Sequence, residues 1–235
     1  PYDNEKAGNA VSGNMDSVIK KASYSTQIHD PRSKWFDNLY LLMAKAYFLK
    51  GDYDGAITTC TFIINEYKET PKKSKRSIDT SASIATKEKG KKLITFFKHK
   101  PIRNEAILLL INGYIQTEQY GEALTMITLL EKDKVLPKKY LPDLMLSKAY
   151  LSLKQNNRDE AIKALEIALK SKVPSKQKSR AQFLLAQLYA LNGNYDKSTA
   201  AYKKSFYKKN SPEMDFYTRL HIAENAAKGG GDLGY

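Results

Sequence analysis

A short pattern that recurs four times along the chain constrains its fold more than any other feature. In each copy, a segment that carries a tyrosine near its end is followed by a polar turn and by a segment with Ala or Ser near its start. The tyrosine precedes the small residue by nine positions in three copies and by eleven in the third, which predicts two additional residues in the third turn. The pairs are Tyr47 and Ala56, Tyr114 and Ala123, Tyr150 and Ala161, and Tyr189 and Ser198.

Each copy is typical of two helices joined by a tight turn. Glycine or asparagine supplies the unusual backbone dihedral angles that such a turn needs. Apolar residues recur at helical spacing in the second segment of the third copy, at Ala161, Leu165, Ala168 and Leu169. We expect each first helix to bury its tyrosine and the residue three positions earlier. We expect each second helix to bury its Ala or Ser where two helices cross closely.

Four copies in one chain are the signature of tetratricopeptide repeats. The sequence therefore predicts an all-α helical-repeat solenoid with about four full units, with an unrelated helical bundle as the alternative. A single domain is expected over 14–228, between flexible segments at 1–13 and 229–235. Partial units at both ends predict that the array continues in a longer protein. The full units lie near 37–67, 104–136, 140–170 and 179–208, and the partial units lie near 14–27 and 213–228.

A basic insertion separates the first two units. Residues 68–100 hold eleven Lys and Arg against three Asp and Glu, a net charge of +8 within a chain whose net charge is +14. We expect 71–90 to be a mobile loop and 91–98 to form a short docked helix. The charge favours an anionic partner, which could be an acidic protein surface, an anionic membrane surface or single-stranded nucleic acid, with a solvated loop as the alternative. The cations singled out are Lys72, Lys73, Lys75, Arg76, Lys87, Lys89, Lys91 and Lys92.

The residue patterns of catalytic and metal sites are missing from the sequence. The histidines His29, His99 and His221 are far apart and lack carboxylate or thiol neighbours at ligand spacing. No glycine-rich phosphate loop or nucleophile motif occurs. Cys60 lies where a repeat helix needs an apolar residue, which predicts a buried, inert thiol. We therefore predict a protein that is not an enzyme and needs no cofactor, metal ion or small-molecule substrate.

The first helices of tetratricopeptide units usually carry the partner-binding groove. Chaperone-binding members clamp a carboxylate there with Lys, Asn and Arg, but this chain has Leu or Met at the matching positions, so a carboxylate clamp is not expected. The polar residues on the first helices form a hypothetical groove for a protein partner, with simple solvation as the alternative. They are Asn38, Lys45, Asn112, Lys148 and Gln187.

Three segments outside the repeats carry a closer resemblance. They are Lys34–Asn38, Phe96–Ala106 and Leu130–Leu144. Together they resemble the tetratricopeptide lipoprotein family of Bacteroidetes gliding motility and type IX secretion (SprE/PorW), over about residues 14–225. The resemblance implies a periplasmic scaffold, lipid-anchored in the outer membrane through an upstream cysteine, that connects the outer-membrane translocon with ring and motor components. A nucleic-acid-associated protein, or a generic cytoplasmic adaptor that uses the basic insertion, is the alternative.

Overall fold

Helix pairs follow one another along the chain. The computed structural model describes residues 4–30, 33, 35–67, 83–88 and 101–229, and within these ranges the chain forms ten α-helices and no strand. This confirms the all-α repeat fold. The helices are α1 (Asn4–Ile28), α2 (Phe36–Lys50), α3 (Tyr53–Glu66), α4 (Arg103–Gln116), α5 (Tyr120–Lys132), α6 (Leu141–Lys154), α7 (Arg158–Lys170), α8 (Ser175–Leu191), α9 (Tyr195–Ser205) and α10 (Pro212–Gly229).

The turns that join α2 to α3, α4 to α5, α6 to α7 and α8 to α9 share one backbone feature. Each contains one residue with a positive φ, five positions before the small residue of the second helix: Gly51 at 88°, Glu118 at 62°, Asn156 at 57° and Gly193 at 74°. Glycine adopts this conformation without steric cost, and asparagine tolerates it better than most residues. The repeated geometry, more than the repeated residue type, therefore defines the turn.

The third pair corrects the expected place of its two additional residues. Three residues separate α6 from α7, the same number as in the second and fourth pairs, so the turn is not longer. The N–H group that closes the turn bonds to the carbonyl of Tyr47, Tyr114 and Tyr189 in the other pairs, but to that of Ser152 in the third. Ser152 therefore occupies the tyrosine position, and the two residues counted as additional lie within α6, which at 14 residues is no longer than α4.

The small residues of the second helices are buried, as predicted. Ala56, Ala123, Ala161 and Ser198 are all at most 1% exposed. The hydroxyl of Ser198 in α9 also has a hydrogen-bond partner in the other helix of its pair, since its Oγ donates to the carbonyl of Ala186 in α8 at 2.8 Å. Of the four predicted tyrosines only Tyr189 is buried, and the other three are half-buried.

The N-terminal helix differs from the expected boundary. α1 begins at Asn4, so residues 4–13, expected to be flexible, continue the helix. This stretch contains the helix-favouring residues Glu5, Lys6, Ala7 and Ala10, which support helical structure although Gly8 and Gly13 weaken it. Of the expected flexible tail, 230–235 lie outside the described residues.

The helices divide into two compact units. The first covers Pro1–Tyr140 and the second covers Leu141–Tyr235. In the first, Leu41, Ala44 and Ile63 belong to a core that also buries Cys60 completely. In the second, the core is built on α6 to α9 and includes Leu165, Leu185 and Tyr202. A single domain over 14–228 stays a prediction.

Gly113 of α4 gives a test of the close contact between α3 and α4. A Cβ atom at Gly113 would lie 2.8 Å from Cγ1 of Ile57, whereas one at Gly121 would meet nothing within 4 Å. Gly113→Ala should lower the free energy of unfolding in urea by about 1–2 kcal/mol, because overpacking outweighs the gain in helix propensity. The control Gly121→Ala should raise it by up to about 1 kcal/mol. Stabilisation by both variants would contradict the close contact.

Candidate protein-interaction site

Part of the basic insertion is bound to the first compact unit. Residues 83–88 have neither helical nor strand structure. They lie against the start of α4 and the connection that follows α5, through side chains of those elements. Ala85 and Thr86 are buried, with 6% and 4% of their surface exposed. The contacts below show how a segment with few apolar residues is held in place.

Asn104, in the first turn of α4, binds both backbone groups of one residue in this segment. Its Oδ1 accepts from the N–H of Thr86 at 2.9 Å, and its Nδ2 donates to the carbonyl of Thr86 at 2.8 Å. A neighbouring β-strand would satisfy the same two groups. Asn104 is only 1% exposed, so these bonds also satisfy an amide that would otherwise be buried without a partner.

Asp133, the residue that follows α5, holds the beginning of the segment. Its Oδ2 accepts from the Ser83 hydroxyl at 2.6 Å and from the N–H groups of Ile84 and Ala85 at 3.1 and 2.9 Å. Its Oδ1 accepts from the N–H of Val135 at 2.9 Å. Partial burial works to raise the pKa of this carboxyl, but the four hydrogen bonds outweigh it and hold the pKa below its ordinary value.

Arg103 connects the segment to the preceding helix. Its guanidinium donates to the carbonyl of Ile84 at 2.6 Å and, through Nε, to the carbonyl of Ile64 in the last turn of α3 at 3.2 Å. Arg103, Asn104 and Asp133 thus bind mainly backbone groups, which makes these contacts nearly independent of the side chains of the segment.

Glu88 supplies the side-chain contact at the end of the segment. Its Oε1 accepts from the hydroxyl of Tyr140 at 2.6 Å and from Nδ2 of Asn104 at 3.2 Å. Its Oε2 forms an ion pair with Lys139. Together with the Ser83 hydroxyl, this carboxylate makes the site sensitive to sequence as well as to backbone.

The expectation of a mobile loop over 71–90 is therefore wrong for residues 83–88. The physical reason is that the binding partners come from α4 and from the connection after α5, and the composition of the insertion does not contain that information. Of the eight cations singled out there, Lys87 is exposed, and the others lie outside the described residues, as does the expected helix over 91–98. A polar Asn104 at the start of an apolar helix was the available signal.

The two lysines of the hypothetical groove each have a carboxylate partner. Lys45 of α2 forms an ion pair with Glu105 of α4 at 2.8 Å, and both side chains are nearly half exposed. Lys148 of α6 lies 3.3 Å from Glu160 of α7, within its own helix pair. In the register set by Ser152, Lys148 stands two positions before the residue that matches Lys45, so it does not lie on the equivalent face.

The three amides of the hypothetical groove are half-buried. Asn38 donates to Oδ1 of Asp37 at 2.9 Å, and Asn112 donates to the carbonyl of Leu108 in its own helix at 2.9 Å. Gln187 belongs to α8 in the second compact unit. That these five residues bind a partner stays a prediction.

An aromatic cleft lies beside α2 and α3 and was not predicted from the sequence. Tyr40 is its centre: the ring centroid of Tyr40 is 4.6 Å from that of Phe62, 5.8 Å from that of Phe36 and 6.4 Å from that of Tyr67. Thr26 and Glu66 complete its lining, and its volume is about 410 Å³. Burial raises the pKa of the Tyr67 hydroxyl to about 12. Clustered aromatic rings of this kind are enriched in the centres of protein interfaces.

The structure also places two groups that bear on chemistry. Cys60 is fully buried, as predicted, and burial raises the pKa of its thiol to about 12. His221 does have a carboxylate neighbour, contrary to expectation: its Nδ1 is 2.8 Å from Oε2 of Glu224, which lowers the pKa of that carboxyl. The spacing of three residues along α10 brings the two together.

Among the described residues, no cluster of three or more His, Cys, Asp or Glu side chains is arranged to hold a metal ion. In the same part of the chain, no helix is both long and apolar enough to cross a lipid bilayer.

Family models match two parts of the chain. A model described as "Tetratricopeptide repeat" matches residues 146–211, which run from α6 to the end of α9 and beyond, and another with the same description matches 39–70, the α2–α3 pair. No curated protein sequence matches the chain.

Solved structures similar to this one include several repeat proteins. A thermophilic TPR protein of Thermus thermophilus has a TM-score of 0.56 at 15% identity, covering 94% of this chain and 96% of its own. The MamA protein has a TM-score of 0.51 at 17% identity, covering 84% and 85%. Cut9 with Hcn1 from the APC/C has a TM-score of 0.59 at 14% identity, covering 94% of this chain and 38% of that one. At these identities the similarity establishes the fold alone.

Removal of the Asn104 amide should release the bound segment. Asn104→Ala leaves the buried N–H and carbonyl of Thr86 without partners, which costs about 1–3 kcal/mol. Trypsin cleavage after Lys87, followed by mass spectrometry, should become about tenfold faster or more, because the open state becomes more populated. The control Asn192→Ala removes an exposed amide bound to Asp159 and should leave this rate unchanged. Equal rates in Asn104→Ala and the unaltered protein would contradict the docking.

The bound segment should also loosen in acid. The pKa of Asp133 is lower in the folded protein, so the carboxylate contributes stability above its ordinary pKa of about 4 and loses it as the pH falls through the lowered value. Hydrogen exchange at the amides of Ile84 and Ala85, corrected for its intrinsic pH dependence, should lose protection over that range while the helical circular dichroism persists. Asp133→Asn should abolish this dependence, and its persistence in that variant would assign it to another group.

Proposed function

We propose that this chain, which is a tetratricopeptide-repeat protein, is a non-catalytic scaffold of the type IX secretion system and gliding machinery. Tetratricopeptide proteins generally hold other proteins together, and the fold provides helix pairs with exposed faces for that purpose. In this proposal the protein is an accessory component in the periplasm that links the outer-membrane translocon to ring and motor components.

The observation that carries the proposal is the position, in the fold, of two of the segments that resemble the secretion-scaffold family. Arg103 and Asn104 belong to the segment Phe96–Ala106, and Asp133, Lys139 and Tyr140 belong to the segment Leu130–Leu144. All five side chains bind residues 83–88. Two segments that are separate in the sequence therefore build one site, which gives a physical reason for both to keep a specific pattern.

The aromatic cleft supports a role in protein binding. Phe62 is 40% exposed although it packs against Tyr40, so the cleft offers apolar surface to a partner. Apolar and aromatic surface that stays exposed in one chain is typical of a binding face.

The proposed membrane association depends on a lipid anchor upstream of this sequence. Cys60 is not a candidate for lipidation, because its side chain is fully buried in the core of the first unit. Localisation to the periplasmic side of the outer membrane is thus part of the proposal and rests on the resemblance.

The deciding experiment is co-purification of the tagged full-length protein from its native cells, with membranes solubilised and partners identified by mass spectrometry. Recovery of translocon and ring components supports the secretion scaffold. Recovery only of cytosolic chaperones or nucleic-acid proteins would overturn it in favour of the adaptor that uses the basic insertion, and the repeat fold would be unaffected.

Lys45 gives a test of the hypothetical groove with an internal control for structure. Lys45→Glu places a second carboxylate beside Glu105. It should weaken the binding of a co-purified partner by about tenfold if that partner contacts the lysine. Lys45→Glu combined with Glu105→Lys restores the ion pair but leaves the charge reversed at position 45, so binding should stay weak. Lys163→Glu, at an exposed lysine of α7 near Glu160, should bind normally. Recovery of binding in the double variant would show that Lys45 has only a structural role.

A further inference from the structure

One end of the second compact unit carries a concentration of lysines that no sequence motif reveals. α7 ends at Lys170, and Lys172 lies in the connection to α8. Lys176 and Lys178 lie in the first turn of α8. These four cations lie within nine residues of one another, and all four are exposed.

A second group of lysines lies about thirty residues further along the chain. Lys203 and Lys204 are in the last turn of α9. Lys208 and Lys209 are in the connection between α9 and α10. All four are exposed.

Buried and part-buried hydrogen bonds hold the two groups at the same end of the unit. The Ser179 hydroxyl of α8 donates to the carbonyl of Ser205 at the end of α9, and its Oγ lies 2.9 Å from Oδ1 of Asn210. Nδ2 of Asn210 in turn donates to the carbonyl of Ser205 at 3.0 Å. The beginning of α8 therefore contacts the connection after α9, and the eight lysines form one surface, which we call the lysine pole.

The positive charge of the lysine pole is not neutralised locally. None of its eight lysines forms an ion pair with another described residue. The carboxylates nearest in sequence are Glu166, four residues before Lys170, and Glu213 and Asp215 in the first turn of α10. Glu166 accepts a hydrogen bond from the Tyr189 hydroxyl, and Asp215 accepts one from Asn210 at 3.1 Å. The opposite end of the unit mixes both signs, with Asp159 and Asp196 beside Arg158 and Lys197.

The composition of the pole indicates the kind of partner. Lysines dominate its exposed cations, with only Arg180 and Arg219 beside them among the described residues of this end, whereas specific protein interfaces are depleted in lysine. The lysines lie on helix ends and connections. This placement argues against single-stranded nucleic acid, because that ligand is normally bound in a groove that follows the strand. Three exposed aromatic side chains accompany them: Phe206, Phe216 and Tyr217. Lysines with exposed aromatic rings are typical of protein surfaces that lie on anionic membranes.

We propose that the lysine pole binds the surface of an anionic lipid bilayer, with its lysines at the headgroup phosphates and Phe206 at the interface. This site is separate from the residues that hold 83–88, and the proposal does not rest on the proposed function. It orients the second unit end-on to the membrane.

Vesicle co-sedimentation of the 235-residue chain tests the proposal. The protein should sediment with vesicles of phosphatidylglycerol and phosphatidylcholine in equal amounts but not with phosphatidylcholine alone, and high salt should release it. Each lysine near an anionic surface contributes about fivefold to binding, so a pole variant that lacks four lysines should lose nearly three orders of magnitude in its partition coefficient. The pole variant combines Lys172→Gln, Lys176→Gln, Lys203→Gln and Lys208→Gln.

A matched control separates the pole from net charge. The control variant, with the same charge removed from exposed lysines elsewhere in the second unit, should bind almost as well as the unaltered protein. Equal losses in both variants would overturn the proposal, as would a loss confined to a variant with Lys72, Lys73, Lys75 and Arg76 changed to Gln. Binding of a single-stranded oligonucleotide in place of the vesicles would overturn it too. The control combines Lys154→Gln, Lys163→Gln, Lys197→Gln and Lys228→Gln.

Discussion

The structure depends on how closely two helices approach at a single small side chain. The small residue of each pair is essentially inaccessible to solvent and lies five positions after the positive-φ residue of its turn. The four small residues are Ala56, Ala123, Ala161 and Ser198. A larger side chain at these positions would force the helices apart and move every contact beyond them, because protein interiors are packed without spare volume. The turn sets the direction of the second helix, and the small residue sets its distance.

In the first unit, polar side chains hold a segment in place, whereas apolar packing holds the helices together elsewhere. Residues 83–88 contain too few large apolar groups to be held by burial, and the amide, carboxylate and guanidinium of Asn104, Asp133 and Arg103 hold them through backbone groups instead. Each partner is partly or fully buried, so a bond that is lost is not simply replaced by water. Residues 83–88 of the insertion are therefore part of the unit that the insertion interrupts.

The sequence alone predicted the helix pairs well, because their small residues and turns are local signals. It failed where the information is not local. The additional residues before Ser152 could lie in a turn or in a helix, and only the hydrogen bond that closes the turn distinguishes the two. Asp133 binds residues about fifty positions away, and the two lysine groups become neighbours only once α8 and α9 pack. None of these contacts leaves a periodic pattern.

The anchored residues 83–88 also limit how far the basic insertion can extend. If the insertion of 33 residues were fixed only at its ends, its middle could lie up to about 55 Å from the helices, because each extended residue spans about 3.3–3.6 Å. With 83–88 bound, the chain has 15 residues before the anchor and 12 after it, and each stretch can reach only about 20–25 Å. Lys87 is the cation within the anchor and is exposed beside the first unit. A partner that binds Lys87 must therefore come close to the repeats themselves.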